Sequence, residues 1–123
     1  MRAVRALSTL QADDIRVAVQ QAERRSGLRF AVYLGPAPAG GRHYAERLHA
    51  ALGDDAPRAV LVFVDPGAHA LEIVTGERVR RRLTDARCRM VAMSMATAFS
   101  GGDLVGGVVY GIAALAQQAA SPG

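Results

Sequence analysis

The chain has 123 residues, 50% of them hydrophobic and 21% charged, which suffices for one globular core and is too apolar for intrinsic disorder. A single cysteine, Cys88, excludes an intrachain disulfide framework and permits a reducing compartment. The net charge of +4 comes from arginine alone, a bias that GC-rich codons supply, so arginine abundance by itself identifies no anionic partner.

Residues 1–7 carry two arginines, no apolar run and no cleavage site, and read as an N-terminal arm on a cytoplasmic protein. Ser8-Thr9-Leu10-Gln11 has the capping-box arrangement, so a first helix is predicted to start there and to stop at Ser26-Gly27. Ile15, Ala18, Val19 and Ala22 form its apolar stripe, and Asp13 and Asp14 fall in or near the first turn, where the helix dipole favours negative charge. Leu28 to Leu34 reads as a strand, with Leu28, Phe30, Val32 and Leu34 on one face and Ala31 and Tyr33 on the other.

Residues 35–41 form a Gly/Pro loop, in which Gly40-Gly41 could present backbone N–H groups to an anion or simply serve as a flexible connection. A short helix follows from Arg42 to Leu52, with Gly53 as its stop. Its His43, Glu46 and His49 are no ligand set, because six residues of helix separate the histidines by about 9 Å in rise and about 120° in azimuth. After a turn at Asp54 to Pro57, the unbroken apolar run Ala59 to Val64 reads as the central strand of a sheet covered on both faces. Asp65-Pro66-Gly67 fits a tight turn with the glycine at a positive φ, and His69 to Val74 returns antiparallel.

Beyond Thr75-Gly76, a basic turn from Glu77 to Arg82 precedes a helix N-capped by Thr84 and running to Ser100. Cys88, Val91, Ala92, Met95 and Phe99 make its stripe; Met90 and Met93 widen it, suggesting neighbours on more than one side. Cys88, close to arginines but on a core stripe, is expected to be inert. Asp103 caps a final helix whose apolar run, Leu104 to Ala116, is too short to cross a bilayer. Its glycines at 102, 106, 107 and 111 suit a helix lying tightly on a sheet.

The elements add up to an α/β fold, α-β-α-β-β-α-α. A β-α-β unit plus an antiparallel hairpin strand gives a small mixed sheet flanked by about four helices, a single domain over residues 8–119 with a tail at 120–123. No phosphate loop, dinucleotide fingerprint, zinc-protease helix or nucleophile elbow is present. Two surfaces remain. The first is the run from Arg78 to Arg89, with six arginines (Arg78, Arg80, Arg81, Arg82, Arg87 and Arg89), which could meet an acidic partner or phosphates but has no interleaved aromatic residues. The second is the sheet edge to which the topology brings Asp54, Asp55 and Glu77, with Asp85 close by. These carboxylates could hold calcium or magnesium, or could instead be paired by Arg78 to Arg82.

Several stretches resemble the TPM domain family: A-E-x-x-S-G ending the first helix, the strand L-R-F-A-V-Y-L, then A-V-L-V-F-V-D-P, L-E-I-V-T-G-E and F-S-G-G-D-L-V-G-G-V-V-Y-G-I. The similarity spans Leu7 to Gln118 and is greatest to a small actinobacterial branch made of domains of unknown function. It implies a helix-flanked mixed sheet. Some relatives are calcium-binding and acid-phosphatase-like, which by position implies Asp54 and Asp55 as metal ligands, with Glu77 and Asp85 beside them. The leading expectation is a non-enzymatic interaction module that meets a protein partner, or a second copy of itself, through the arginine surface or the glycine-rich helix. A weak metal-dependent phosphohydrolase and a nucleic-acid binder are the alternatives.

Overall fold

In the computed structural model, which describes residues 9–38 and 40–120, three strands form one mixed sheet in the order β1-β2-β3. The N-terminal arm, Ser8 of the capping box and residues 121–123 of the tail lie outside the described residues. The elements are α1 (Thr9–Ser26), β1 (Arg29–Leu34), α2 (Gly41–Ala50), β2 (Ala59–Asp65), β3 (Ala70–Thr75), α3 (Asp85–Ser100) and α4 (Leu104–Ala120), with short 3-10 turns at Gly53–Arg58 and Pro66–Ala68. β1 pairs parallel with β2, Phe30 opposite Val60, and β3 returns antiparallel, Val62 opposite Ile73.

Every residue of β2 is buried, as an uninterrupted apolar run between two helical layers requires. Because side chains alternate, Val60, Val62 and Val64 enter one core with Phe30, Met95, Val108, Ile112 and Leu115, beneath α1, α3 and α4. Leu61 and Phe63 enter a smaller core under α2, with Ala45 and Val74. There Tyr33 stacks on Phe63 with centroids 5.5 Å apart, and Tyr44 meets both rings edge-on.

Local chemistry accounts for the boundaries. Gly27, at φ 75°, ends α1 by donating its N–H to Glu23 O, while the Ser26 hydroxyl donates to Ala22 O and accepts from Leu28 N. The Thr84 hydroxyl accepts from Arg87 N and the Asp103 carboxylate from Gly106 N, so both predicted N-caps form.

Asp13 and Asp14 directly follow the first turn of α1, and Asp13 pairs with Arg16 at 3.4 Å. Four expectations need correction. α2 stops at Ala50, short of the expected end at Leu52, and the expected turn at Asp54 to Pro57 takes 3-10 form over Gly53–Arg58. In the β2–β3 connection the positive φ falls on His69 (54°) and not on Gly67, because the Asp65 carboxylate accepts from Ala68 N and carries the turn one residue further. Met90 and Met93 are 68% and 71% exposed, since among the described residues α3 buries only the face that meets α4 and β3. Gly107 and Gly111 face α3 rather than the sheet: a Cβ on either would overlap Phe99 or Met95, so the four-residue glycine spacing sets a helix–helix approach.

Among the described residues β1 and β3 are the outer strands of the sheet, and the hydrogen-bond parity of each follows from a single bond at its end. Gly35 N donates to Val64 O, so Ala31 and Tyr33 turn their backbone groups toward β2, and Phe30, Val32 and Leu34 turn theirs outward. Gly76 N donates to Ala59 O, which turns Leu71, Ile73 and Thr75 outward on β3.

Candidate interaction surface

The arginine run becomes a shaped turn because two of its members are not surface residues. Val79 and Leu83, four apart, are fully buried and pin residues 76–83 to the main core, while their arginine neighbours turn outward. Backbone bonds from Val79 N to Gly76 O, Leu83 N to Val79 O and Arg78 N to Pro57 O fix the turn against the 3-10 segment before β2. Gly76 is required there, since a Cβ would overlap the carbonyls of Ala56 and Pro57.

Three of the six arginines hold the fold together. Arg82 donates from Nε to Ala119 O (2.9 Å) and from Nη2 to Ser26 O (2.7 Å), joining the C-terminal ends of α4 and α1, where carbonyls are otherwise orphaned. Arg80 donates to Thr75 O at 3.1 Å and Arg87 to Arg82 O at 3.1 Å. Arg78, Arg81 and Arg89 are exposed, and their side chains make no hydrogen bond or ion pair among the described residues. None of the six is ion-paired there, so the alternative in which Arg78 to Arg82 neutralise nearby acids is overturned.

The topology does place Asp54-Asp55 and Thr75-Gly76-Glu77 at one end of the sheet, but the grouping of Asp54, Asp55, Glu77 and Asp85 into a ligand set does not form. Asp55 is held by Arg29 at 3.4 Å and Arg58 at 3.3 Å, and among the described residues no three His, Cys, Asp or Glu side chains gather as metal ligands. Asp85 instead lines a shallow groove outside β3 with Arg42, Glu72, Cys88 and Arg89. Burial, with a smaller contribution from Asp85, pushes the Cys88 thiol up to about 11, so it stays protonated at neutral pH. On α2, His43 is exposed, Glu46 pairs with Arg42 and His49 Nε2 lies 3.1 Å from Ala59 O, which separates the three side chains by role.

At the opposite end, sequence reading missed a cavity of about 320 Å3 beyond β2, walled by Val64, Leu71, Phe99 and Leu104 with His69 at its rim. The hint was the position, since ligands of α/β sheets collect at strand C-terminal ends. The Asp65 carboxylate lies on the other face, accepting from Ala37 N and Ala68 N. Among the described residues, no helix is long and apolar enough to cross a membrane.

Comparison with known proteins places these features. The family described as "Domain of unknown function (DUF5130)" matches residues 6–116. Uncharacterized proteins from two strains of Mycobacterium tuberculosis are 34% identical over 100 residues, covering 80% of this chain and 58% of theirs, so the chain spans less than two thirds of the curated relatives it matches. Among solved structures, the NMR structure of BA42 protein from the psychrophilic bacterium Bizionia argentinensis superposes with a TM-score of 0.83 at 18% identity, covering 94% of this chain and 82% of that one. The N-terminal domain of a P. gingivalis protein follows at 0.78 and 19%, covering 91% and 75%. At these identities the likeness is one of fold.

Proposed function

The chain belongs to the DUF5130 family, and from that premise we propose that it is a TPM-like interaction module of the cytoplasm, one domain over residues 8–119, that holds an acidic segment of a partner protein on its arginine turn. One observation carries the reading: the turn is anchored by Val79 and Leu83 and by the carbonyl contacts of Arg80, Arg82 and Arg87, yet Arg78 and Arg81 on it, and Arg89 on the adjoining first turns of α3, are exposed and their side chains form no ion pair among the described residues. Guanidinium groups held on a rigid platform lose little freedom on binding, and their planar donors match carboxylates in pairs. The phosphohydrolase alternative has less support, because Asp55 is neutralised by two arginines and the named carboxylates stay apart. Nucleic-acid binding lacks stacking aromatics in the run.

Replacing Arg78, Arg81 and Arg89 together by alanine leaves the anchoring arginines in place. Titration with polyglutamate is expected to show salt-sensitive binding that falls at least several-fold in this variant; unchanged binding would overturn the reading. Calcium and magnesium decide against it in favour of the hydrolase if either raises unfolding free energy by about 2.7 kcal/mol at 100 times its dissociation constant.

A further inference from the structure

We propose that the chain pairs with a second copy of itself through the outer edge of β1, Val32 and Leu34 of each copy exchanging backbone hydrogen bonds in an antiparallel ladder. The inference rests on the sheet edge and is independent of the arginine turn.

The outward backbone groups of β1 belong to Phe30, Val32 and Leu34. The N–H of Phe30 is closed off by Glu23 Oε2 at 2.9 Å. Those of Val32 and Leu34 have no partner among the described residues, nor do their carbonyls. Two residues further on, Pro36 has no N–H, and its carbonyl accepts the Tyr33 hydroxyl at 2.6 Å, so the strand cannot extend its ladder in that direction. The free segment is therefore short and bounded at both ends.

Its pattern is self-complementary. Antiparallel pairing about a two-fold axis at Tyr33 sets Val32 opposite Leu34 of the second copy, and Leu34 opposite its Val32. Each copy then donates twice and accepts twice, and no group already bound within the chain is called on. In the same register Phe30, with its N–H taken, falls opposite Pro36, which has none to offer. Side chains agree: the facing pairs are Val–Leu on the main-core side and Tyr–Tyr on the α2 side, apolar and aromatic pairs of the kind that stabilise adjacent strands.

Charge selects a second copy as well. Residues 30–41 contain no charged side chain in a chain of net charge +4, and Arg29 falls opposite Ala37 rather than its own counterpart. Two copies can approach by this edge without opposing like charges. The β3 edge offers no such route, because Arg42 donates to Ile73 O at 3.2 Å and Arg80 to Thr75 O at 3.1 Å, closing two of its outward carbonyls.

The test is sedimentation equilibrium of the full chain over a wide concentration range, with Val32→Pro alongside. Because the Val32 N–H points outward, proline there removes a donor to the second copy without breaking a bond to β2. The wild type is expected to shift from 12.9 kDa toward twice that mass with rising concentration, while Val32→Pro, folded by circular dichroism, stays at the lower mass. A wild type that remains monomeric throughout overturns the proposal. So does a folded Val32→Pro that dimerises equally, which would move the contact to another surface such as the one exposing Met90 and Met93. Should that variant fail to fold, wild-type amide exchange decides: the Val32 and Leu34 amides must slow as concentration rises, and concentration-independent exchange at both overturns the pairing.

Discussion

The two edges of the sheet are finished in different ways. On β3, Arg42 and Arg80 reach over from α2 and from the basic turn to occupy the carbonyls of Ile73 and Thr75, and Arg42 also pairs with Glu72 at 3.3 Å. On β1, one carboxylate, Glu23, covers one N–H, and the next two outward residues are bare among the described residues. A small domain can leave a sheet edge open if what it exposes is short and bounded, and it can close one with long cationic side chains that also keep copies apart. Charge and backbone accounting thus separate the two edges: arginine side chains cap carbonyls along β3, whereas residues 30–41, which include the outer edge of β1, carry no charged side chain.

The sharpest break in this contrast comes from Gly76, where β3 meets the turn that carries Arg80. Gly76→Ala forces a Cβ into the carbonyls of Ala56 and Pro57, neither of which is a flexible side-chain end, and is expected to cost about 3 kcal/mol in urea unfolding. On the other edge, Glu23→Ala strands the N–H of Phe30, a residue 2% exposed, for a loss of about 2 kcal/mol, of which Glu23→Gln should recover a good part because it keeps an acceptor.

Cys88 reports on the groove beside the closed edge. Its thiol holds its proton up to about 11 in the folded state, while the unfolded thiol releases it near the ordinary value of 9.0. Between those values the folded state binds more protons, so stability falls as pH rises, by roughly 1.4 kcal/mol for each unit crossed, and is unaffected by this group below that window. Thiol-reagent labelling should be correspondingly slow at neutral pH and accelerate only toward pH 11. Removing the Arg80 contact with alanine should cost about 1 kcal/mol. Arg42→Ala, at a half-exposed site, should cost less than about 1 kcal/mol but raise concentration-dependent association in sedimentation, since it bares Ile73 O.

Much of this architecture is legible in the chain itself. The apolar run of β2, the two-faced pattern of β1 and the caps at Thr84 and Asp103 depend on neighbours a few residues away, and local periodicity and capping chemistry express them directly. The errors share a different cause. Met90 and Met93 read as core because an apolar residue carries no mark of how many helices surround it, and Gly107 and Gly111 read as sheet contacts because spacing alone does not say which element lies opposite. The carboxylates at the sheet end shared an end but not a site, since Arg29 and Arg58 reached Asp55 first.

What the sequence by itself determined, then, is the order and type of the elements and the sheet they build, because hydrophobic period and turn chemistry act over a few residues. Only the tertiary structure decided which arginines became internal braces and which stayed free, and which sheet edge was closed. Those outcomes depend on carbonyls brought together from residues 26, 75 and 119, and no local pattern encodes so distant a meeting.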